Sequence, residues 1–265
     1  MRPEMMIAVT SAGVSLVSAL LSSRATYRAA VLQHRLQEQA HRRSKAELAE
    51  ELFRRYREPL LWAAHSLQSR LFNAISRNFL TTYLHGGDPE EERYVRDNTV
   101  YVLAEYLAWL EIIRRDQRFL DIGDVEGTKE FFARIGRTRD ILGTDSVEGP
   151  FRLFRGQQRA IGELVLTPGE SSNGAGQEVM GYATFCERLD NDARFAAWFD
   201  RLRFEVDAIE QGGIDGNQRL VQLQNRLIDL VESLDPNGDR LPRSDRDRLV
   251  EHGHLPTQRA LADTD

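Results

Sequence analysis

At 265 residues, 41% hydrophobic and 29% charged, the chain is long enough to bury one sizeable core or two small ones. Its formal net charge of −6 excludes a general nucleic-acid coat protein, whose affinity rests on a surplus of Lys and Arg that neutralises phosphates. The single cysteine, Cys186, excludes an intramolecular disulfide and any cysteine-based zinc site, which suits a reducing cytosol.

The chain opens on an uncharged apolar run, Met5 to Ser23. These are about nineteen residues, and as a helix rising ~1.5 Å per residue they reach ~28 Å, close to the ~30 Å hydrocarbon core of a bilayer. Arg2 and Glu4 precede the run, whereas Arg24, Arg28, Arg35, Arg42, Arg43 and Lys45 follow it with Glu38 the only carboxylate among them. The positive-inside rule then predicts a single-pass transmembrane anchor over 1–23 in a bacterial inner membrane, with everything after it cytoplasmic. A cleavable signal peptide would carry its positive charge ahead of the run, and a buried core helix would keep a polar face. Ala8, Ala12, Ser15, Ala19 and Ser22 recur at alternating spacings of four and three and form one stripe of small residues. Such a stripe suits self-association of the anchor, and it is also what any weakly apolar span rich in Ala and Ser shows. The basic residues behind the run suit anionic lipid head groups, at ~1 kcal/mol each near the surface.

Residues 24–56 are predicted to be a helical stalk running into the domain, because Ala, Gln, Glu, Arg and Leu dominate and no Gly or Pro intervenes before Pro59. Ala25, Ala29, Leu32 and Leu36 keep a heptad seam that Gln39 and Arg43 end, so a coiled coil is supported for about two heptads. Residues 57–234 are predicted to form an antiparallel helical bundle, giving an all-α fold. Pro59 suits the first turn of a new helix, and Leu60, Ala64, Leu67, Leu71, Ala74 and Ile75 line one face of a segment ending near Leu84. Asn78 falls on that face and is expected to be a buried amide with a structural hydrogen bond.

Thr99 to Ile113 is apolar all round, which marks the central helix of the domain. It carries two carboxylates, Glu105 and Glu111, that diverge by ~240° around the axis and therefore form no acid/base pair. As candidate buried charges, each is expected to pair with an arginine of a neighbouring helix. A further amphipathic helix is predicted over 125–142. After Gly149 and Pro150, the segment Phe151 to Leu166 places Arg152, Arg155 and Arg159 within one helical stripe if its helix starts early. Those arginines suit an anion site for a phosphate-bearing ligand or lipid head group; equally they suit a solvated face or the partners of Glu105 and Glu111.

Glu163 to Thr167 reads as a short strand without a visible partner, and 168–181 as a Gly/Ser-rich loop that lacks the Gly-Lys-Ser/Thr of a phosphate-binding loop. Ala193 to Ile209 is predicted to be one helix presenting Phe195, Trp198, Phe199, Leu202, Val206 and Ile209. Gln218 to Leu234 repeats leucine at 220, 223, 227, 230 and 234, a seam expected to pack inside the domain. Residues 235–265, rich in Asp, Arg, Pro and Gly, are predicted to be a disordered polar tail.

No catalytic motif, metal set or cofactor fingerprint emerges. Beyond His252-Gly-His254 in the tail, the six histidines lack ligand spacing, and Cys186 lacks an identifiable base. Asp235, Asn237 and Asp239 mimic the start of a calcium loop, but the glycine is misplaced and the closing Glu missing, so they read as a polar turn. Of the 35 basic residues only Lys45 and Lys129 are lysine, a ratio that reads as the codon bias of a GC-rich genome.

The block Tyr56-Arg-Glu-Pro-Leu-Leu-Trp-Ala-Ala-His-Ser-Leu-Gln-Ser-Arg-Leu-Phe-Asn73, with the Thr99 to Ile113 helix and the Phe151 to Leu166 segment, resembles an uncharacterised family of bacterial proteins with an N-terminal membrane anchor and an all-helical cytoplasmic domain. The resemblance brings no activity or site with it. The sequence therefore points to a single-pass, membrane-anchored helical protein that acts by binding, as a tether, scaffold or regulatory component, with membrane lipids and a protein partner or a second copy as its contacts. Two alternatives stand beside it. One is a membrane-bound effector or sensor that binds an anionic small ligand through Arg152, Arg155 and Arg159, in stress or phage defence. The other is a helical metal-dependent hydrolase using Glu105 or Glu111.

Overall fold

A computed structural model describes residues 3–117, 128–169 and 177–250, with backbone alone for 3–23, 25, 28–30, 46, 48, 49, 52 and 53. The fold is mostly helical and bundle-like, with one small antiparallel sheet. The chain divides into two units, Met1–Glu51 and Leu52–Asp265. Helix α1, Pro3–Ser76, supplies the whole described part of the first. Its described side chains between Arg24 and Glu51 are nearly all exposed, Leu32 and Leu36 of the heptad seam among them. Among the described residues no helix is long and apolar enough to cross a membrane. The side chains of Met5 to Ser23, which carry the expected anchor and its stripe of small residues, lie outside the described set.

The second unit is built around α3, Pro89–Gln117. Asp88 starts it: its Oδ1 accepts from the backbone N–H of Glu90 and Glu91, each at 2.9 Å, while Glu91 reaches back to the Asp88 N–H at 3.1 Å. From Val100 to Ile113 nearly every side chain is buried, as the all-round apolar sequence implies. Helix α5, Arg155–Leu164, crosses it at Gly162, where an added Cβ would lie 2.6 Å from the Leu107 carbonyl oxygen. Glycine is required there by close approach of two backbones, not by an unusual φ. Helix α4, Thr128–Gly143, packs on α9, Gln218–Leu234, whose leucine seam is wholly buried inside the domain.

Several expectations are corrected. No new helix starts at Pro59, which lies inside α1. Proline forfeits one backbone bond to residue 55, but burial of Leu60, Leu61, Ala63 and Ala64 holds the next turn. The segment to Leu84 is interrupted, since α1 ends at Ser76 and α2 spans Phe79–Leu84. Asn78 between them is exposed and left-handed at φ 52°, a conformation its short amide tolerates, and its carbonyl accepts from the Thr82 N–H at 3.0 Å. It is a turn between helices and no buried amide.

The predicted helix over 193–209 is two, α7 (Ala193–Ala196) and α8 (Asp200–Gly212), preceded by α6 (Tyr182–Asn191). The break lets Phe195 and Phe199 close on Phe185 with ring centroids 4.8–5.5 Å apart, and it turns Trp198 out to 48% exposure. The strand does have a partner: β1 (Leu166–Pro168) pairs antiparallel with β2 (Gln177–Val179), Leu166 opposite Val179, so the ends of the expected loop form a hairpin. Residues 170–176 of that loop lie outside the described residues.

The expected disorder of the tail does not hold over 235–250. The Asp235 carboxylate accepts from the N–H groups of Asp239 (2.9 Å) and Leu241 (3.0 Å) and from Arg246 (2.8 Å). Leu241 and Leu249 are buried, while Gln224 and Asn225 of α9 bind the backbone of Asp247 and Leu249. Few leucines anchor this stretch; polar side chains hold its backbone instead, which composition alone conceals. Residues 251–265 lie outside the described set.

The α3–α5 crossing is tested by Gly162→Ala. Its methyl meets backbone rather than a movable side chain. We expect the variant to lose about 1–3 kcal/mol in denaturant unfolding, whereas Gly156→Ala, with open space around its Cβ, is expected to stabilise α5 or leave it unchanged. Equal effects of the two substitutions would contradict the close crossing.

Candidate functional site

The two carboxylates of α3 have opposite fates. Glu111 is 2% exposed and accepts from Arg114 Nε at 2.6 Å and Arg115 Nε at 2.8 Å, with Arg159 Nε of α5 at 3.9 Å. Burial opposes its charge, but the hydrogen bonds from Arg114 and Arg115 prevail and hold the carboxyl below its usual value. An arginine from a neighbouring helix was expected; the principal partners instead stand three and four residues ahead on the same helix, and Arg159 supplements them.

The three arginines singled out in the sequence each meet a carboxylate. Arg152 pairs with Asp145 at 2.7 Å and lies over the Phe154 ring. Arg155 pairs with Asp140, while Arg159 reaches Glu163 at 3.6 Å as well as Glu111. Arg152 precedes the first turn of α5, so the three do not share one helical stripe. Arg155 and Arg159 turn toward Arg139 of α4, half-buried, whose guanidinium has its pKa lowered by burial first and by Arg155 second. Arg139 donates to Gln158 Oε1 at 3.3 Å. The assembly is a mixed-sign network that ties α3, α4 and α5 together.

Glu105, on another face of α3, is half-buried and has no hydrogen bond or ion pair among the described residues. Burial alone pushes its carboxyl above the usual value. It lines a cavity of ≈ 450 Å³ between α1, α2 and α3, together with Ser66, Ser69, Arg70, Asn73 and Tyr101. Arg70 is the cation of this cavity. Its guanidinium donates to the Tyr94 hydroxyl at 3.1 Å and to Asn98 Oδ1, and it lies over the rings of Phe79 and Tyr94 at 4.7 and 5.3 Å. All of these partners are neutral, and no carboxylate stands within ion-pair distance among the described residues.

His65, Ser69 and Asn73, at successive i, i+4 positions of α1, also line a second cavity of ≈ 270 Å³ bounded by Ser244, Asp245 and Asp247. His65 Nε2 is buried without a hydrogen-bond partner, and burial lowers the pKa of the ring against a smaller opposing effect of Asp245. Sequence reading missed Arg70, Asn73, Asn98 and His65. Polar residues at helical spacing opposite the apolar face of Leu60, Ala64, Leu67 and Leu71 look like an ordinary solvated face. Only the neighbouring α2 and α3 turn that face into a cavity wall. Among the described residues no group of three or more His, Cys, Asp and Glu is placed to hold a metal ion.

Glu111→Ala removes a buried acceptor shared by partly exposed arginines and is expected to cost about 1.5–3 kcal/mol, whereas Arg155→Ala at a half-exposed pair is expected to cost under about 1 kcal/mol; unfolding titrations measure both. Glu105 has the opposite sign. With its folded pKa raised, the ionised side chain weakens the fold above that pKa, and the penalty vanishes below the ordinary value of 4.5. Glu105→Gln is therefore expected to raise Tm at pH 7 and to leave it unchanged below pH 4.5. A lower Tm at pH 7 would mean that a cation already pairs with the carboxylate. No family model, curated protein or solved structure matches the chain, and the site is read from its geometry.

Proposed function

We propose that the chain is a single-pass membrane protein whose helical domain lies on the cytoplasmic side and acts by binding, as a tether, scaffold or regulatory component. The observation that carries this reading is the uncharged run Met5 to Ser23 with its basic flank behind it, set in a helix that continues to Ser76. The disposition of charge in the domain supports binding over chemistry. Asp97, Glu111 and Asp235 are buried carboxylates, each held by an arginine: Arg203 at 2.7 Å, Arg115 at 2.8 Å and Arg246 at 2.8 Å. Groups so fixed serve as structural charges.

The sensor alternative draws its support from a different place than the sequence suggested. An anion at Arg152, Arg155 and Arg159 has to compete with Asp145, Asp140 and Glu163. The cavity at Glu105 and Arg70 holds its charges without such competition, and it favours a small ligand there.

Fractionation of cells expressing the full chain tests the membrane reading. The protein is expected in the membrane fraction, resistant to alkaline wash and released by detergent, with a reporter at its C-terminus active inside the cell. Val17→Arg places a charge near the centre of the run, at about 2.5–3.5 kcal/mol on insertion scales, and is expected to shift protein to the soluble fraction. Full-length protein recovered in the aqueous fraction without detergent, or a reporter active outside the cell, would overturn the placement.

A further inference from the structure

We infer that the cavity between α1 and α3 binds a small zwitterion, a free amino acid or short peptide, whose ammonium pairs with Glu105 and whose carboxylate pairs with Arg70. This deepens the binding half of the reading above and is independent of the membrane half.

The juxtaposition carries the inference. Among the described residues, one cavity is lined by a carboxylate without a cation and a guanidinium without an anion, and the two do not pair with each other. A charge set partly out of water gains from a countercharge, as the fully buried Asp97 and Glu111 gain from their arginines. A ligand bearing both charges compensates both groups at once. A simple amine leaves Arg70 unmatched, and a simple anion leaves Glu105 unmatched.

The spacing suits the same class. Asn98, which fixes the Arg70 guanidinium, stands seven residues before Glu105, or two turns and ~10 Å along α3. That spacing is of the order of the ammonium and carboxylate of one amino acid with each about 3 Å from its protein partner. The volume of ≈ 450 Å³ falls within the range of about 300–1,000 Å³ for small-molecule sites. Ser66, Ser69 and Asn73 offer directional hydrogen bonds, and the Tyr101 and Phe79 rings offer apolar walls.

The test is thermal shift and calorimetric titration of the detergent-solubilised full chain with the free amino acids and a set of dipeptides, each beside its N-acetyl and C-amide forms. At least one free zwitterion is expected to raise Tm and bind saturably. Blocking either end is expected to weaken binding about tenfold or more, the loss of a charge-assisted hydrogen bond. Glu105→Gln, which should itself stabilise the empty protein, is expected to lose binding by a similar factor, as is Arg70→Gln. Preference for amino acids over dipeptides, or the reverse, identifies which source of the zwitterion the site takes. No binding by any compound would overturn the inference. So would an N-acetyl form binding as well as its parent, which marks an anion site, or an amide doing so, which marks a cation site. Undiminished binding by Glu105→Gln would overturn it as well. Fractionation of the same variants reports separately on the membrane placement, which neither substitution is expected to move.

Discussion

A carboxylate on a helix that the core surrounds must be given a countercharge, and the domain is arranged by how α3 meets that requirement. Asp97 is fully buried and receives Arg93 from its own helix and Arg203 from α8. Glu111, near the other end, receives Arg114, Arg115 and Arg159. These pairs fix which faces α3 turns to α5 and α8, because a rotated helix would leave a buried charge bare. Glu105 stands between them and is treated differently. It opens onto a cavity and has no described partner.

Arginine serves as a clamp elsewhere too. Arg219 of α9, 2% exposed, donates to the carbonyls of Ile141 (2.7 Å), Thr144 (2.9 Å), Gly149 (3.3 Å) and Val147, and so ties down the connection between α4 and α5. Arg246 does the same for the turn after α9, bonding the carbonyls of Asp235 and Leu241 along with the Asp235 carboxylate. The planar fork of the guanidinium lets one side chain satisfy several backbone acceptors that a lysine ammonium would meet less well. The arginine excess, uninformative as composition, becomes informative only when individual partners are seen.

The helical framework was legible where apolar period was strong. The core helix at 99–113, the leucine seam at 220–234 and the loop boundaries at Gly149-Pro150 follow from pattern alone. Errors fell where tertiary contacts outvote local chemistry: helix α1 runs through Pro59 because the following turn is buried, and 193–209 breaks because three phenylalanines pack better across a bend. The tail misled because its order rests on Asp235, Gln224 and Arg246, polar groups that read as solvated in one dimension. The site was half legible. Glu105 drew attention as a charge in an apolar helix, but Arg70, which lines the same cavity, lies on a different helix at a position that resembles surface, and no spacing rule joins the two.

The charge state of Glu105 is the most direct probe of this arrangement. Carboxyl-resolved NMR titration of the empty full-length chain should find Glu105 titrating above its ordinary value of 4.5, while Glu111 titrates below that same value. Addition of a bound zwitterion should then bring Glu105 down. A Glu105 carboxyl that titrates at or below 4.5 in the empty protein would show that it already has a cation, and the cavity would have no uncompensated charge to offer a ligand.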